Sequence, residues 1–276
     1  MSLVWAVLII AVATAVGVTA MLLVRRTAPE GSYFEDGDRA AGIFGVLATG
    51  FAVLLGFVVF LAFESYDQSR SGAETEAIIV AQQFETAQFF PDRVSPQLSG
   101  ELVCYARSVV HKEWPQMEAG ARADQINRWG IALFRTLETV EPKSASEQTA
   151  YAKMLDQRFD RESARNDRIH GAEGVIPVPL WIVLLFSAVV IFVYTLFFAD
   201  SGERAIVQAV MMGSVVAVIT ASLLLLRFLD NPFQPGLGGL KPTAMVRTLG
   251  LLEEERQIAG LSGPLPCNER GEPLTS

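Results

Sequence analysis

Residues 42–63 read GIFGVLATGFAVLLGFVVFLAF, an apolar run without a single charge. A bilayer core of about 30 Å is crossed by roughly 20 apolar residues at helical rise, so this run is long enough to span a membrane. Three more runs of that kind lie in the chain, which gives expected spans at residues 3–24, 40–63, 178–199 and 205–229. A content of 51% hydrophobic residues over 276 positions agrees with a membrane protein and disagrees with an ordinary soluble domain. The first run has no basic segment ahead of it and is longer than the apolar part of a secretory signal, so it is expected to be a retained span.

Short polar stretches join the first span to the second and the third to the fourth, so the spans form two hairpins. Between the hairpins lies an insert, residues 64–176, and after the last span a tail, residues 230–276. An even number of spans puts insert and tail on one side of the membrane. Charge leaves that side open. Arg25 and Arg26 favour a cytoplasmic position for the hairpin loops, while Arg161, Arg165, Arg168, Arg227 and Lys241 favour the insert and tail.

Helical spacing runs through the insert. Ala73, Ala77, Val80, Phe84 and Ala87 continue the second span's helix beyond Glu64 to an end at Phe90-Pro91. Ser95-Pro96 reads as an N-cap followed by a first-turn proline, opening a helix with Leu98, Leu102, Tyr105 and Val109 on one stripe; Pro115 should end or kink it. Further helices are expected from Ala123 to Val140 and from Ser146 to Gly171. No alternating pattern suggests a sheet. The expected fold is all-α and integral to the membrane, with four transmembrane helices in two hairpins flanking a helical extramembrane insert.

Few residues suggest chemistry. His111 and Glu113 form an H-x-E without any second half of a zinc site, so no metal and no cofactor is expected, and His111 reads as a surface residue beside a packed Trp114. With two histidines and no evident nucleophile–base pair, the chain is not expected to be an enzyme. A formal charge of -8 argues against nucleic acid. Cys104 and Cys267 lack metal or redox spacing, and they would pair only in an oxidising compartment.

Three features remain. Thr49, Val53 and Phe57 stand at i, i+4 and i+8 on the second span, where an apolar face turned to a shared axis would gate conduction by dewetting. The glycines of that span, Gly42, Gly45, Gly50 and Gly56, read first as sites of close helix packing. Arg161, Arg165 and Arg168 share a helix face, either as a basic collar or, with interleaved acids, as a solvated face laced with ion pairs. In RFLDNPFQPG the last span stops at Asp230-Asn231-Pro232, because proline disfavours helix at the residue before it. Arg227, one turn earlier, suits a helix C-terminus, and Phe233 is expected to pack against the insert or a neighbouring subunit.

Val-Arg-Arg after span one, AVLLGFVVF in span two, the Glu-Trp-Pro-x-Met of Glu113 to Met117, the Pro-Leu-Trp of Pro179 to Trp181 and the Asp-x-Pro-Phe of Asp230 to Phe233 together resemble the bestrophin-like family of bacterial and plant membrane proteins. Leu55-Gly56-Phe57 and Asn231-Pro232-Phe233 are similar, more distantly, to the bestrophin anion channels. That resemblance implies a homo-oligomer, by analogy a pentamer, in the cell's inner membrane. Its second helix would line a passage for small anions such as chloride, with the bilayer as the other partner. Phe57 matches one ring of the bestrophin constriction; Val53 and Thr49 are smaller than their counterparts. The resemblance also implies a cytoplasmic insert and cytoplasmic termini. No acidic run follows Phe233, so the bestrophin calcium site is not expected. The rival reading is a membrane-anchored interaction or signalling module without a pore.

Overall fold

The structure is a computed structural model that describes residues 3–123, 125–236, 238–261 and 263–274. Its order is α1 (Leu3–Arg25), α2 (Gly37–Ala87), α3 (Ser95–Ser108), a π turn (Val109–Glu113), α4 (Trp114–Glu118), α5 (Arg128–Glu138), α6 (Ala145–His170), α7 (Val178–Leu196), α8 (Ala205–Leu229) and α9 (Thr243–Ile258). Among the described residues there is no strand, only an isolated bridge between Cys267 and Pro273. Four helices, α1, α2, α7 and α8, are long and apolar enough to cross a membrane.

Two compact units divide the chain. The membrane unit holds α1, α2 as far as Glu64, α7 and α8. Lipid is as apolar as a leucine side chain, so helices inside it associate through close packing rather than through hydrophobic burial. Small residues provide the approach: a Cβ on Gly17 would lie 2.8 Å from Val216, and one on Gly213 would lie 3.3 Å from Val18. The loop between α1 and α2 is tied to the loop between α7 and α8. Arg25 donates to the carbonyls of Ser201 (3.0 Å) and Glu203 (2.6 Å), and Asp200 accepts from the Gly31 amide at 3.0 Å.

The extramembrane unit holds the rest of α2, the insert and most of the tail. Its core is built by Val80 and Phe84 of α2, Leu98 and Leu102 of α3, Trp129, Leu133 and Leu137 of α5, Met154 of α6, and Met245 and Leu252 of α9. These are the stripes that periodicity marks in the insert, joined by α9, which the tail's mixed composition does not announce.

Local differences from expectation have physical causes. Pro115 neither breaks nor ends its helix, because the π turn shifts the hydrogen-bond register and leaves the proline in the first turn of α4, where no N–H is required. Ser95 is the first helical residue rather than the cap; Val94 precedes it in a helical conformation with no side-chain cap. Helix α5 begins at Arg128 instead of Ala123, since the Asn127 side-chain Oδ1 caps it by accepting from the Trp129 amide at 3.0 Å.

Helices α2 and α6 approach so closely at Gly72 that a Cβ there would lie 2.5 Å from the Arg168 amide nitrogen and 2.8 Å from the Ala164 carbonyl oxygen. Backbone atoms cannot swing aside. Gly72→Ala is therefore expected to destabilise the purified protein by about 1–3 kcal/mol, read as a lowered thermal midpoint. Gly250→Ala in α9, where a Cβ meets nothing, should be neutral or slightly stabilising.

Candidate functional site

Helix α2 has two unlike faces within the membrane unit. On one, Ala40, Phe51, Leu55, Val58 and Ala62 are buried against the unit's other helices. Stepping by three and four residues along the other gives Gly42, Gly45, Val46, Thr49, Val53, Gly56, Phe57 and Phe60, all exposed. Val53 keeps 54% of its surface and Phe57 67%. A Cβ added at Gly42, Gly45, Gly50 or Gly56 would meet no atom within 4 Å, so within one chain these glycines serve no helix contact. The close intrachain packing expected of them is thus not made by these four glycines, of which Gly56 also borders a groove shared with α7 and α8. Behind α2, Phe51, Leu55, Ile191, Val215 and Ile219 bound an apolar groove of about 630 Å³.

Inside the extramembrane unit Arg161, Arg165 and Arg168 of α6 turn inward. Arg168, fully buried, forms a forked pair with Glu76 of α2 and reaches Glu113 at 2.6 Å. Arg165 donates to Glu113 at 3.2 Å and to the carbonyls of Ala123 and Gln125. Arg161 donates to Gln83 of α2 at 2.8 Å and lies 4.6 Å above the Tyr105 ring. Tyr105 donates to Glu76 at 2.6 Å, and Asn127 donates to Glu113 at 2.7 Å. This corrects the expectation for Arg161, Arg165 and Arg168. They are neither a basic collar nor a solvated face, because all three side chains are buried and donate to Gln83, Glu113 and Glu76 inside the unit. The charge-assisted fork explains the choice of arginine, whose planar donors match a carboxylate where a lysine would not.

Electrostatics follow from that geometry. Burial alone would raise the Glu113 carboxyl, but Arg168 and Arg165 outweigh it and hold the group below its ordinary value of 4.5. Burial, reinforced by the Glu76 carboxylate, pushes the Tyr105 hydroxyl well above its usual 10.0, so it stays a donor. Burial opposes charge on Arg168, yet Glu76 and Glu113 more than compensate and raise it further.

At the end of α8, the corner divides its contacts. Asp230 accepts from the amides of Val175 (2.8 Å) and Ile176 (3.0 Å) within the membrane unit, fastening the entry to α7. Pro232 and Phe233 belong to the extramembrane unit, where the Phe233 ring meets Trp114 edge-on at 5.4 Å. Arg227 is exposed in the last turn of α8, and Asn231 is half-buried. A polar cavity of about 360 Å³, between the π turn, the start of α5 and the tail, includes Lys112, Glu113, Arg128 and Glu272 in its walls. Among the described residues no group of three or more His, Cys, Asp or Glu is placed to hold a metal ion. The sequence reading named neither Glu76, Gln83 nor Asn127, and it placed Tyr105 on a packed stripe without its hydrogen bond to Glu76. A carboxylate at position 76 amid alternating small residues was the signal available for the first.

A bestrophin-like domain profile matches residues 10–238. No curated protein matches the sequence. Solved structures of a bacterial bestrophin homologue from Klebsiella pneumoniae share the fold: one variant superposes with a TM-score of 0.67 at 13% identity, covering 92% of this chain and 99% of its own. A second variant gives 0.68 at 12% identity, covering 91% and 99%.

Removing one partner from a buried ion pair costs about 3–5 kcal/mol, because the survivor keeps its desolvation penalty. Arg168→Met should lower stability by that order in denaturant titration of the purified protein. A depressed carboxyl contributes stability that is present above its unfolded value and lost as pH falls through the folded one. Stability should therefore decline below about pH 4.5, and Glu113→Gln should flatten that acid limb while lowering stability at neutral pH.

Proposed function

The chain belongs to the bestrophin-like family, and on that premise we propose that it is an oligomeric membrane channel whose passage runs along the open face of α2. The observation that carries this reading is the two-sidedness of α2: one face packed, the other apolar, glycine-rich and unpartnered over Gly42 to Phe60. Glycines without an intrachain contact suit close approach between copies. Phe57, Val53 and Thr49 then form successive rings about 6 Å apart along the axis, and an apolar constriction of this kind passes ions only when it is wetted. Small anions such as chloride are the solute that the family resemblance implies, and a ring of copies, a pentamer by the same analogy, is the assembly. In the extramembrane unit Phe89, Ile126, Phe159 and Ile258 stay 63%, 75%, 65% and 80% exposed. Those same residues are what a membrane-anchored interaction module would use, and they keep that alternative in play.

Purified protein in liposomes provides the test. Wild type should release chloride; Phe57→Ala and Val53→Ala, which widen the constriction, should raise the rate several-fold, and Phe57→Trp should lower it. Absence of flux from wild type and from all three variants would overturn the channel reading and leave the interaction module.

A further inference from the structure

We infer that the extramembrane unit, tail included, lies on the oxidising, extracytoplasmic side of the membrane, and that the two short hairpin loops lie in the cytoplasm. The sequence has two cysteines, 163 positions apart, and the fold joins them in a disulfide between α3 and the tail. Both are enclosed in the extramembrane core, Cys104 wholly and Cys267 to within 4%.

The surroundings of the bond are built for it. Among the described residues the tail has no helix after α9, and it is held at Cys267 and at polar contacts of Asn268 and Gly271. Arg107 of α3 donates to the Asn268 carbonyl at 3.2 Å and pairs with Glu253 of α9 at 2.7 Å. Trp129 donates its indole N–H to the Gly271 carbonyl at 2.7 Å. Gly271, with φ of +73°, sits so close to α3 that a Cβ would strike the Ser108 backbone. A cross-link that closes so long a loop restricts the unfolded chain strongly. Such bonds persist in periplasmic, lumenal or extracellular space, whereas cytosolic thiols are kept reduced.

Charge at the span ends is divided between the two sides. The rule that places lysine and arginine in the cytoplasm holds for short loops and fades in segments beyond about 60 residues, and acidic residues weigh little in it. Arg25, Arg26 and Arg39 stand at the loop between α1 and α2, and Arg204 at the loop between α7 and α8. Of the residues that favour the opposite side, Arg161, Arg165 and Arg168 lie in the long insert, where the rule has little force. Arg227 and Lys241 at the short tail keep theirs, so the disulfide decides the assignment. The disulfide reverses the cytoplasmic placement implied by the resemblance to bestrophins. It follows that a solute, partner or signal acting on the extramembrane unit reaches it from outside the cytoplasm, whether or not α2 lines a pore.

C-terminal fusions to alkaline phosphatase, active only outside the cytoplasm, and to green fluorescent protein, fluorescent inside it, test the side in a Gram-negative host. Alongside, denatured wild-type protein is treated with a polyethylene-glycol maleimide with and without reductant. The expected result is an active phosphatase fusion, a dark fluorescent fusion, and maleimide shifts on two cysteines only after reduction. In Cys104→Ser, the single Cys267 should be labelled without reductant. A fluorescent fusion with an inactive phosphatase, or two free thiols in unreduced wild type, would overturn the assignment. Because these readouts use wild-type chain, poor accumulation of the serine variant does not blunt them.

Discussion

Arg168 brings a full positive charge to a place without water, and the extramembrane unit is organised so that this charge is never alone. Glu76 reaches it from α2 and Glu113 from the end of the π turn, while Tyr105 of α3 binds the same Glu76 carboxylate. Three separate segments thus share one electrostatic knot, fixed by α6. The backbone is shaped to allow it. Gly72 lets α2 and α6 touch at the level of Arg168, and the π turn carries Glu113 inward while its neighbour Lys112 remains exposed. A hydrophobic core of similar volume would hold these helices together as well or better, since desolvating charges offsets most of what their attraction returns. What the pairs contribute is register: guanidinium forks accept few alternative arrangements, so α6 cannot slide along α2 without stranding a charge.

Helix α2 runs over 51 residues and contributes to both units. In the extramembrane unit it is gripped through Glu76, Gln83, Val80 and Phe84. In the membrane unit its packed face is occupied and its open face is not. A proposed passage along that open face would be lined by Thr49, Val53 and Phe57.

Much of the architecture was readable because it rests on local pattern. The four spans follow from apolar length, the continuation of α2 from small residues at helical spacing through Ala87, and the stop after Leu229 from Asn231-Pro232. The arginines of α6 were misread for a physical reason. Charges at three- and four-residue spacing look the same on a solvated face as on a buried one, and what separates the two cases is a partner far away in sequence. Glu76 is 92 positions from Arg168. Local periodicity carries no trace of that pairing. The same holds for Cys104 and Cys267, whose meeting depends on α9 and the tail folding back onto α3. Pro115 was read as a break because the compensating π turn has no sequence signature of its own. For the open face of α2, spacing revealed which residues share a side, but not that the glycines among them lack any neighbour in the chain.

The central claim is that copies of this chain meet across the open face of α2. Cysteines placed singly at Thr49, Val53 or Phe57, with the native pair held in its disulfide, measure this directly in native membranes through oxidative cross-linking. The account predicts cross-linked dimers from at least one of these positions and none from a cysteine at the buried Leu55. Monomers alone at all three positions, in membranes where the protein is folded and abundant, would contradict it.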